Sequence, residues 1–542
     1  MKTVLIIGGG ISGLVSAINL RKKGFKVILI EKNKDLGGRL YQIKNGNYIF
    51  NNGPSWYWLP SIINNIYDKL GIKYKYRLEK LSPQYKIIFD KNIIDISGDY
   101  HEIKYLFNKK DPESGKKLDK FIESSKYKYQ KGFSKFIYYP NLLVSEYLSF
   151  KLPYYLYKFE IFKSFRSVCE SITKNNQLRK ILEWPSLFIG SNPNNITALY
   201  TLLTYSMLKE GTYIPNKKGM IEIIELLVSA CYNREVIVLT NTSCVDFIYK
   251  NNNIDKVKIQ YNDTGKYEDI KVDYVINSAD YFHIENILPN KFRSYPKLYW
   301  DKLIACPSSL IFNLVLNIKL PKLIFHNLFF KGSIDEHIYY IYNTKYLPPK
   351  PLFYANINTK ICKNNENKDT LFILIPSNPG IILDKKEIDR VYNYVLNEIS
   401  EHIEFDIKKY IIHEEIFRES DFKSRFNSFK CNSYGLACDK FQNIFIRPKL
   451  KSLYLENLYY CGHTTAPGPG IAPCMISGFN TSNQLIADDS NKLKKKFSNS
   501  EPGRFNILYR YLLIILNFFY SVKYIFFRLL THFITLVCII GF

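Results

Sequence analysis

The first forty residues constrain this chain more than any other stretch. An apolar run from Lys2 to Ile7 is bounded by Gly8-Gly9-Gly10, and Ile11-Ser12-Gly13 then lead into apolar positions at helical spacing through Leu20. Lys26 to Ile30 is a second apolar run, ending at Glu31. Short apolar runs bounded by glycine read as buried strands and the spacing between them as a helix, so the segment is a βαβ unit. The glycines have separate duties: Gly8 permits the tight turn, Gly10 lets the backbone approach a pyrophosphate, and Gly13 lets helix and strand pack closely. Ile11 and Ser12 open the helix, whose free N–H groups and positive dipole end point at the phosphates. Glu31 stands about 20 residues past the loop, where a carboxylate bonds ribose hydroxyls and repels a 2′-phosphate.

A glycine fingerprint alone is common. Here strand, helix and acid all stand at the right distances, and Leu36-Gly37-Gly38-Arg39 follow. The glycine pair brings a second loop against the dinucleotide and points to FAD rather than NAD, with Lys32, Gly38 and Arg39 beside it. A secretory leader is the rival reading of Lys2 and its apolar run. Gly8 to Gly10 interrupt that run, however, and no small-residue cleavage site follows.

Composition excludes more than it identifies. The net charge is +26, from 75 basic and 49 acidic residues. Lysine is scattered among Asn, Ile and Tyr throughout rather than gathered in a stripe, which speaks against a nucleic-acid surface. The 10 cysteines contain no CxxC pair and read as reduced thiols, and the 8 histidines show no metal-ligand spacing. No metal site is expected.

Taken in order, the chain predicts a Rossmann-like FAD-binding domain interleaved with a mixed α+β substrate domain, an α/β fold, followed by a hydrophobic helical tail. Residues 1–100 form the first nucleotide-binding piece. Its end carries Gly53-Pro54-Ser55 among Trp56, Tyr57 and Trp58, a turn with an aromatic wall beside the flavin. Residues 101–205 turn helical and aromatic, the first part of the substrate domain. The nucleotide fold returns over 206–290, with strand-like runs at Val236–Leu239, Cys244–Ile248 and Val257–Gln260, then Asp273–Asp280, a strand ending in a small-residue turn, and Val245 joins the cofactor contacts. Alternating strands at Ser309–Asn317 and Leu371–Ile375 make 291–440 the floor of a substrate cavity. The last nucleotide-binding piece, 441–487, runs a strand into Gly462-His463, and a turn through Pro469, Gly470 and Ile471, all cofactor contacts, feeds a helix that begins near Ala472. Such a helix N-terminus suits negative charge developing on a reduced flavin ring. His463 is a weak catalytic candidate.

Together, the Gly8–Arg39 fingerprint, Asn52-Gly53-Pro54-Ser55-Trp56-Tyr57-Trp58, His326-Asn327-Leu328-Phe329-Phe330 and Thr465-Ala466-Pro467-Gly468-Pro469-Gly470 resemble the bacterial and fungal type of phytoene desaturase. Tyr434-Gly435-Leu436-Ala437 and Phe445-Ile446-Arg447-Pro448 lie where that family has similar runs. The resemblance covers about residues 1 to 487. Its members belong to the wider amine-oxidase-like flavoprotein group and often carry an acid where Asn51 or Asn52 stands here, and Pro-Pro where Ala472-Pro473 stands. The resemblance implies an FAD-dependent oxidoreductase that takes hydride from an allylic C–H of phytoene or a related carotenoid. A proton then leaves the neighbouring carbon and the polyene lengthens. Quinone or oxygen is the implied final acceptor. A carotenoid isomerase or a retinol-type polyene saturase of the same group stays open beside it, as do the number of steps and the proton acceptor.

The C-terminus reads separately. A basic linker, 488–504, holds Lys492, Lys494, Lys495 and Lys496, and 505–542 is intensely apolar. Tyr511–Val522 and Leu529–Phe542 each fall short of the ~20 residues of a spanning helix. A re-entrant hairpin, a snorkelling helix and an interfacial anchor all remain open. Each places the protein on membrane lipid, facing the cytoplasm.

Overall fold

The strands β1 (Thr3–Ile7) and β2 (Lys26–Ile30) are joined by the helix α1 (Ile11–Lys22), the βαβ unit that the sequence predicts. In the computed structural model, described over residues 1–497 apart from 47, 74–75, 135, 139–153, 155–156, 362–366, 440–441 and 443–446, β1 is the centre of a five-stranded sheet. The order is Leu458–Tyr460, Tyr274–Asn277, β1, β2, Ile237–Leu239, and every pairing is parallel. The sheet is thus collected from the start, middle and end of the chain: Val4 pairs with Tyr274, and Val275 with Leu458. Parallel strands covered on both faces need apolar side chains at successive positions. Val4, Leu5 and Ile6 are wholly buried, as are Val275 and Ile276.

Every residue of α1 from Ile11 to Leu20 is buried, so its polar side chains must find partners inside the protein. Ser16 Oγ lies 2.8 Å from Ser12 O and 2.9 Å from Gly478 O, and Asn19 Nδ2 donates to Ser482 Oγ at 2.8 Å. Those bonds lock α1 against the helix Ile471–Phe497, while its other side packs on Ile221–Tyr232.

A second, seven-stranded sheet runs Ile411–Phe417, Ser308–Leu316, Asp369–Ser377, Phe353–Ile357, His326–Phe329, Tyr85–Ile88, Ile93–Ile96. The last two strands are a finding. Read from the sequence they fall within the 1–100 nucleotide-binding piece, but Leu328 pairs with Ile87 and draws them into this sheet. All nine residues of Ser308–Leu316 and of Asp369–Ser377 are buried, so neither face meets water. Side chains alternate between the faces. Leu310, Phe312 and Leu314 share a core with Val391, Val395 and Ile399 of the helix Lys385–Ile403. Ile311, Phe372 and Leu374 join the opposite core with Trp184 and Tyr57. That second face looks toward the nucleotide-binding half.

The helical segment expected from about 101 includes Tyr100–Lys110, Ser114–Ser134, Phe165–Ile172 and Asn176–Glu183. Their starts are capped as polar side chains dictate: Asp99 accepts from the His101 N–H, Ser164 from Ser167 and Asn175 from Gln177 and Leu178. The described cysteines are free thiols. Among the described residues no helix is long and apolar enough to cross a membrane. The apolar tail 505–542 lies outside the described residues.

Gly13 is where helix and strand come closest. A Cβ there would fall 2.2 Å from Gly8 O, a backbone atom with no freedom to move aside. Gly to Ala inside a helix ordinarily gains up to about 1 kcal/mol from propensity. Here the clash reverses the sign: Gly13→Ala is expected to lose about 1–3 kcal/mol in urea unfolding. A variant as stable as the parent would show that the close approach does not matter.

Candidate functional site

The two sheets leave between them a cavity of about 750 Å³ that reaches from the glycine fingerprint to the floor strands. Gly8, Gly10, Ile11 and Ser12 line one end, with Glu31, Lys32, Gly38 and Arg39. Gly53, Pro54, Ser55 and Val245 line it too, as do Gly462, His463, Pro469, Gly470 and Ile471. Of the residues expected at the cofactor, only Gly13 stands outside the lining, consistent with its packing duty. The cavity also takes in residues with no sequence signal of their own, among them Thr242, Asp280, Arg425, Phe426 and Tyr354. They come from loops and strands that only the fold brings together.

At the fingerprint end, α1 begins at Gly10, and no side chain caps it. The helix therefore leaves its first N–H groups for a ligand. A Cβ on Gly10 would meet only Gly38 Cα, at 3.9 Å, so the space beyond it is open to the cavity. Glu31 is held at the tip of β2 by three donors. Its Oε2 accepts from Gly9 N at 2.8 Å, and its Oε1 accepts from Asn33 N at 3.0 Å and Asn33 Nδ2 at 2.7 Å. Lys32 Nζ donates to Ser424 O at 2.6 Å and Asn427 Oδ1 at 3.2 Å, tying the Glu419–Phe426 helix and its exit over this end. This is a dinucleotide cradle.

In the middle lie two buried basic groups. Arg39 Nη2 donates to Ser428 Oγ at 2.9 Å and Asn432 O at 3.3 Å, while its Nε is buried with no hydrogen-bond partner among the described residues. Burial lowers the pKa of this guanidinium and the Asp280 carboxylate opposes the shift. Burial also raises the Asp280 carboxyl, which Arg39 and the Phe429 N–H pull back down. His463 is enclosed, and its Nε2 has no hydrogen-bond partner among the described residues. Burial, then Arg39 and Arg447, hold its pKa well below the usual imidazole value, so it is neutral. Arg447, wholly buried, donates Nη2 to Leu436 O at 2.8 Å and Nη1 to His463 O at 3.3 Å, bracing the loop that carries His463.

The far end is apolar and aromatic. Trp56, Trp58, Ile311, Phe372 and Leu374 face Pro185, Ile189 and Leu203 from the inserted helices. Polar groups here are paired among themselves. Trp58 Nε1 donates to Thr212 Oγ1 at 2.9 Å, and Ser433 Oγ lies 2.9 Å from Ser309 Oγ. The Tyr354 hydroxyl is 2.8 Å from Ser55 Oγ and 2.6 Å from His326 Nδ1. Charged cradle and dry wall thus share one cavity.

Comparison with known proteins bears on both ends. The NAD(P)-binding Rossmann-like domain family matches residues 6–70. A carotenoid 3,4-desaturase of Haloarcula japonica is 29% identical over 496 residues, 90% of this chain and 98% of that protein. A phytoene desaturase of Fusarium fujikuroi is 26% identical over 534 residues, covering 91% of this chain and 90% of its own. Over nearly its whole length the chain is similar to carotenoid desaturases. A solved putrescine oxidase shares the fold, with a TM-score of 0.55 at 16% identity over 90% of this chain and 99% of the oxidase. These desaturases are matched over 98% and 90% of their own lengths, so the likeness extends beyond the nucleotide-binding half.

Gly10→Val tests the cradle. Because the added methyls would enter open space, the variant is expected to fold with unchanged melting temperature and to purify without bound dinucleotide, read by absorbance. Normal cofactor occupancy in that variant would place the pyrophosphate elsewhere.

Proposed function

We propose that this protein is an FAD-dependent carotenoid desaturase that removes hydrogen from phytoene or a related polyene. One observation carries the reading: a single cavity joins the dinucleotide cradle to a wall of aromatic and aliphatic side chains, with no charged group among the lining residues of its far end. A hydrocarbon needs such a wall, and a two-electron oxidation needs a redox dinucleotide beside it.

The residues present fit a flavin dinucleotide. Gly8, Gly10, Ile11 and Ser12 would receive the pyrophosphate, and Glu31 the ribose hydroxyls. Val245 lines the same cavity. Arg39 Nε and His463 Nε2, buried and unpartnered, would meet polar atoms of the ring system, and Gly470-Ile471 would offer it a helix N-terminus. Once bound, the flavin supplies a hydride acceptor. The protein's own part is to hold the polyene straight against that acceptor and to keep water out. Trp56, Trp58, Phe372 and Leu374 do both, since flat aromatic walls orient a conjugated chain and offer it no hydrogen bond. His463 stays neutral and so does not repel positive charge developing on the polyene.

Attachment to membrane lipid through 505–542 completes the proposal, because the substrate dissolves only in lipid. The apolar composition of that stretch supports it, as does the preceding Lys492–Lys496 cluster, where each lysine adds on the order of 1 kcal/mol at an anionic surface. Quinone or oxygen would then reoxidise the flavin.

Co-expression in a bacterium that accumulates phytoene tests this. New visible absorption bands in pigment extracts are expected, and their wavelengths count the double bonds added. Colourless cells holding a flavin-loaded protein would redirect the search to a different polyene or to isomerisation.

A further inference from the structure

Desaturation removes a hydride and a proton, and nothing above receives the proton. The floor sheet supplies a receiver. Tyr354 lines the cavity, and its hydroxyl sits between Ser55 Oγ at 2.8 Å and His326 Nδ1 at 2.6 Å. His326 is wholly buried and lies one layer behind the cavity surface, on the strand next to that of Tyr354. Its ring stacks on the Trp56 indole at 3.9 Å between centroids and 6° between planes. Its other nitrogen, Nε2, is buried with no hydrogen-bond partner among the described residues. An unpaired ring nitrogen in a dry core costs stability that an apolar side chain would avoid. A purely structural histidine is a poor explanation of such a position.

We propose that Tyr354 and His326 form the proton-accepting relay of this enzyme, with Tyr354 facing the polyene and His326 acting through it. The inference rests on the desaturase reading. The two-electron oxidant is the bound flavin named there, and the relay handles only what is left. After hydride departure the polyene carries an allylic cation. The C–H bond on the neighbouring carbon breaks and its electron pair becomes the new C=C π bond. The proton goes to the Tyr354 oxygen, as the proton already on that oxygen passes to His326 Nδ1. Tyr354 ends neutral and His326 ends as imidazolium. Once the product has left, the proton passes back through Tyr354 to water entering the emptied cavity, and His326 is neutral again for the next cycle.

Each feature of the cluster suits this duty. The two contacts of the Tyr354 hydroxyl suit one arrangement: with Ser55 as donor to Tyr354, the phenol's own O–H is left to point at Nδ1. The stacked indole stabilises a cation on the imidazole, which no carboxylate among the described residues perturbs. Burial holds the His326 pKa well below its usual value, which keeps the ring neutral between cycles. Weak basicity is no obstacle, because a C–H beside a carbocation is far more acidic than an imidazolium. Geometry decides here before basicity does.

The test uses full-length, flavin-loaded protein with phytoene in phosphatidylcholine vesicles, comparing wild type with Tyr354→Phe and His326→Gln. Glutamine keeps an acceptor for the Tyr354 hydroxyl but takes up no proton, so it separates proton storage from positioning. Both variants are expected to bind flavin normally and to lose turnover by about a hundredfold. Deuterium at the proton-losing carbon is expected to slow both variants more than it slows wild type. Tyr354→Phe keeps the ring and carries the test alone should His326→Gln not fold. Turnover within about twofold of wild type in Tyr354→Phe, or full rescue by His326→Gln, would overturn the relay. So would lost turnover with an unchanged isotope effect at that carbon, the mark of a merely structural role. Product from wild type and variants alike removes the relay alone, whereas no product from wild type on phytoene or on its partly desaturated relatives removes the desaturase reading and the relay with it.

Discussion

The structure depends on how closely α1 can lie against β1. At Gly13 and Gly8 the gap is narrower than a methyl group, and that contact aims the first turn of the helix into the cavity. Once it is made, β1 stands with both edges free for parallel partners. Tyr274–Asn277 takes one and β2 the other, from opposite directions along the chain. The same helix is buried on all sides, and its Ser16 and Asn19 bind the helix Ile471–Phe497. The loop before that second helix therefore reaches the cradle. A single close approach fixes the positions of segments more than 400 residues apart.

The floor sheet solves a different problem. It must be dry on both faces, yet one face has to serve a ligand. Alternation does this: Leu310, Phe312 and Leu314 fill the core under the Lys385–Ile403 helix, and the residues between them turn toward the cavity side. There the strands carry a polar seam, with Ser309, Asn313, His326 and Tyr354 each buried and bonded to a neighbour. Asn313 Nδ2 donates to Asn52 Oδ1 at 3.0 Å, so the seam also fastens the floor to the nucleotide-binding half. Asn52 holds an inter-sheet bond at a place where the resembling family often has an acid.

Much of this was legible before any coordinates. The glycine loop, Glu31 and the Gly37-Gly38-Arg39 extension announce a dinucleotide site because each glycine answers a steric need at a fixed spacing. Strand runs such as Lys26–Ile30 and Asp273–Asn277 stand out because a strand buried on both faces has to be apolar at successive positions. Tyr85–Ile88 and Ile93–Ile96 were harder to assign. The sequence places them only within residues 1–100, nothing local says which sheet they join, and Leu328 decides it by pairing with Ile87 from far along the chain. Asp280, Arg425 and Tyr354 carried no signal at all, since a lone acid, cation or phenol in a chain rich in all three looks like any other.

The sequence by itself determined that a βαβ unit would form, that it would bind a dinucleotide, and that an aromatic wall would follow at Trp56–Trp58. Those follow from short-range rules: the turn that glycine permits, the period of a helix, and the reach from a strand end to a ribose. Only the tertiary structure decided which side chains meet across the cavity. Ser55, His326 and Tyr354 lie on three separate segments, and their hydroxyls and ring nitrogen come within hydrogen-bond range because the floor strands pair in one register. A shift of one residue in that register would turn Tyr354 to the opposite core, because successive side chains on a strand point to opposite faces.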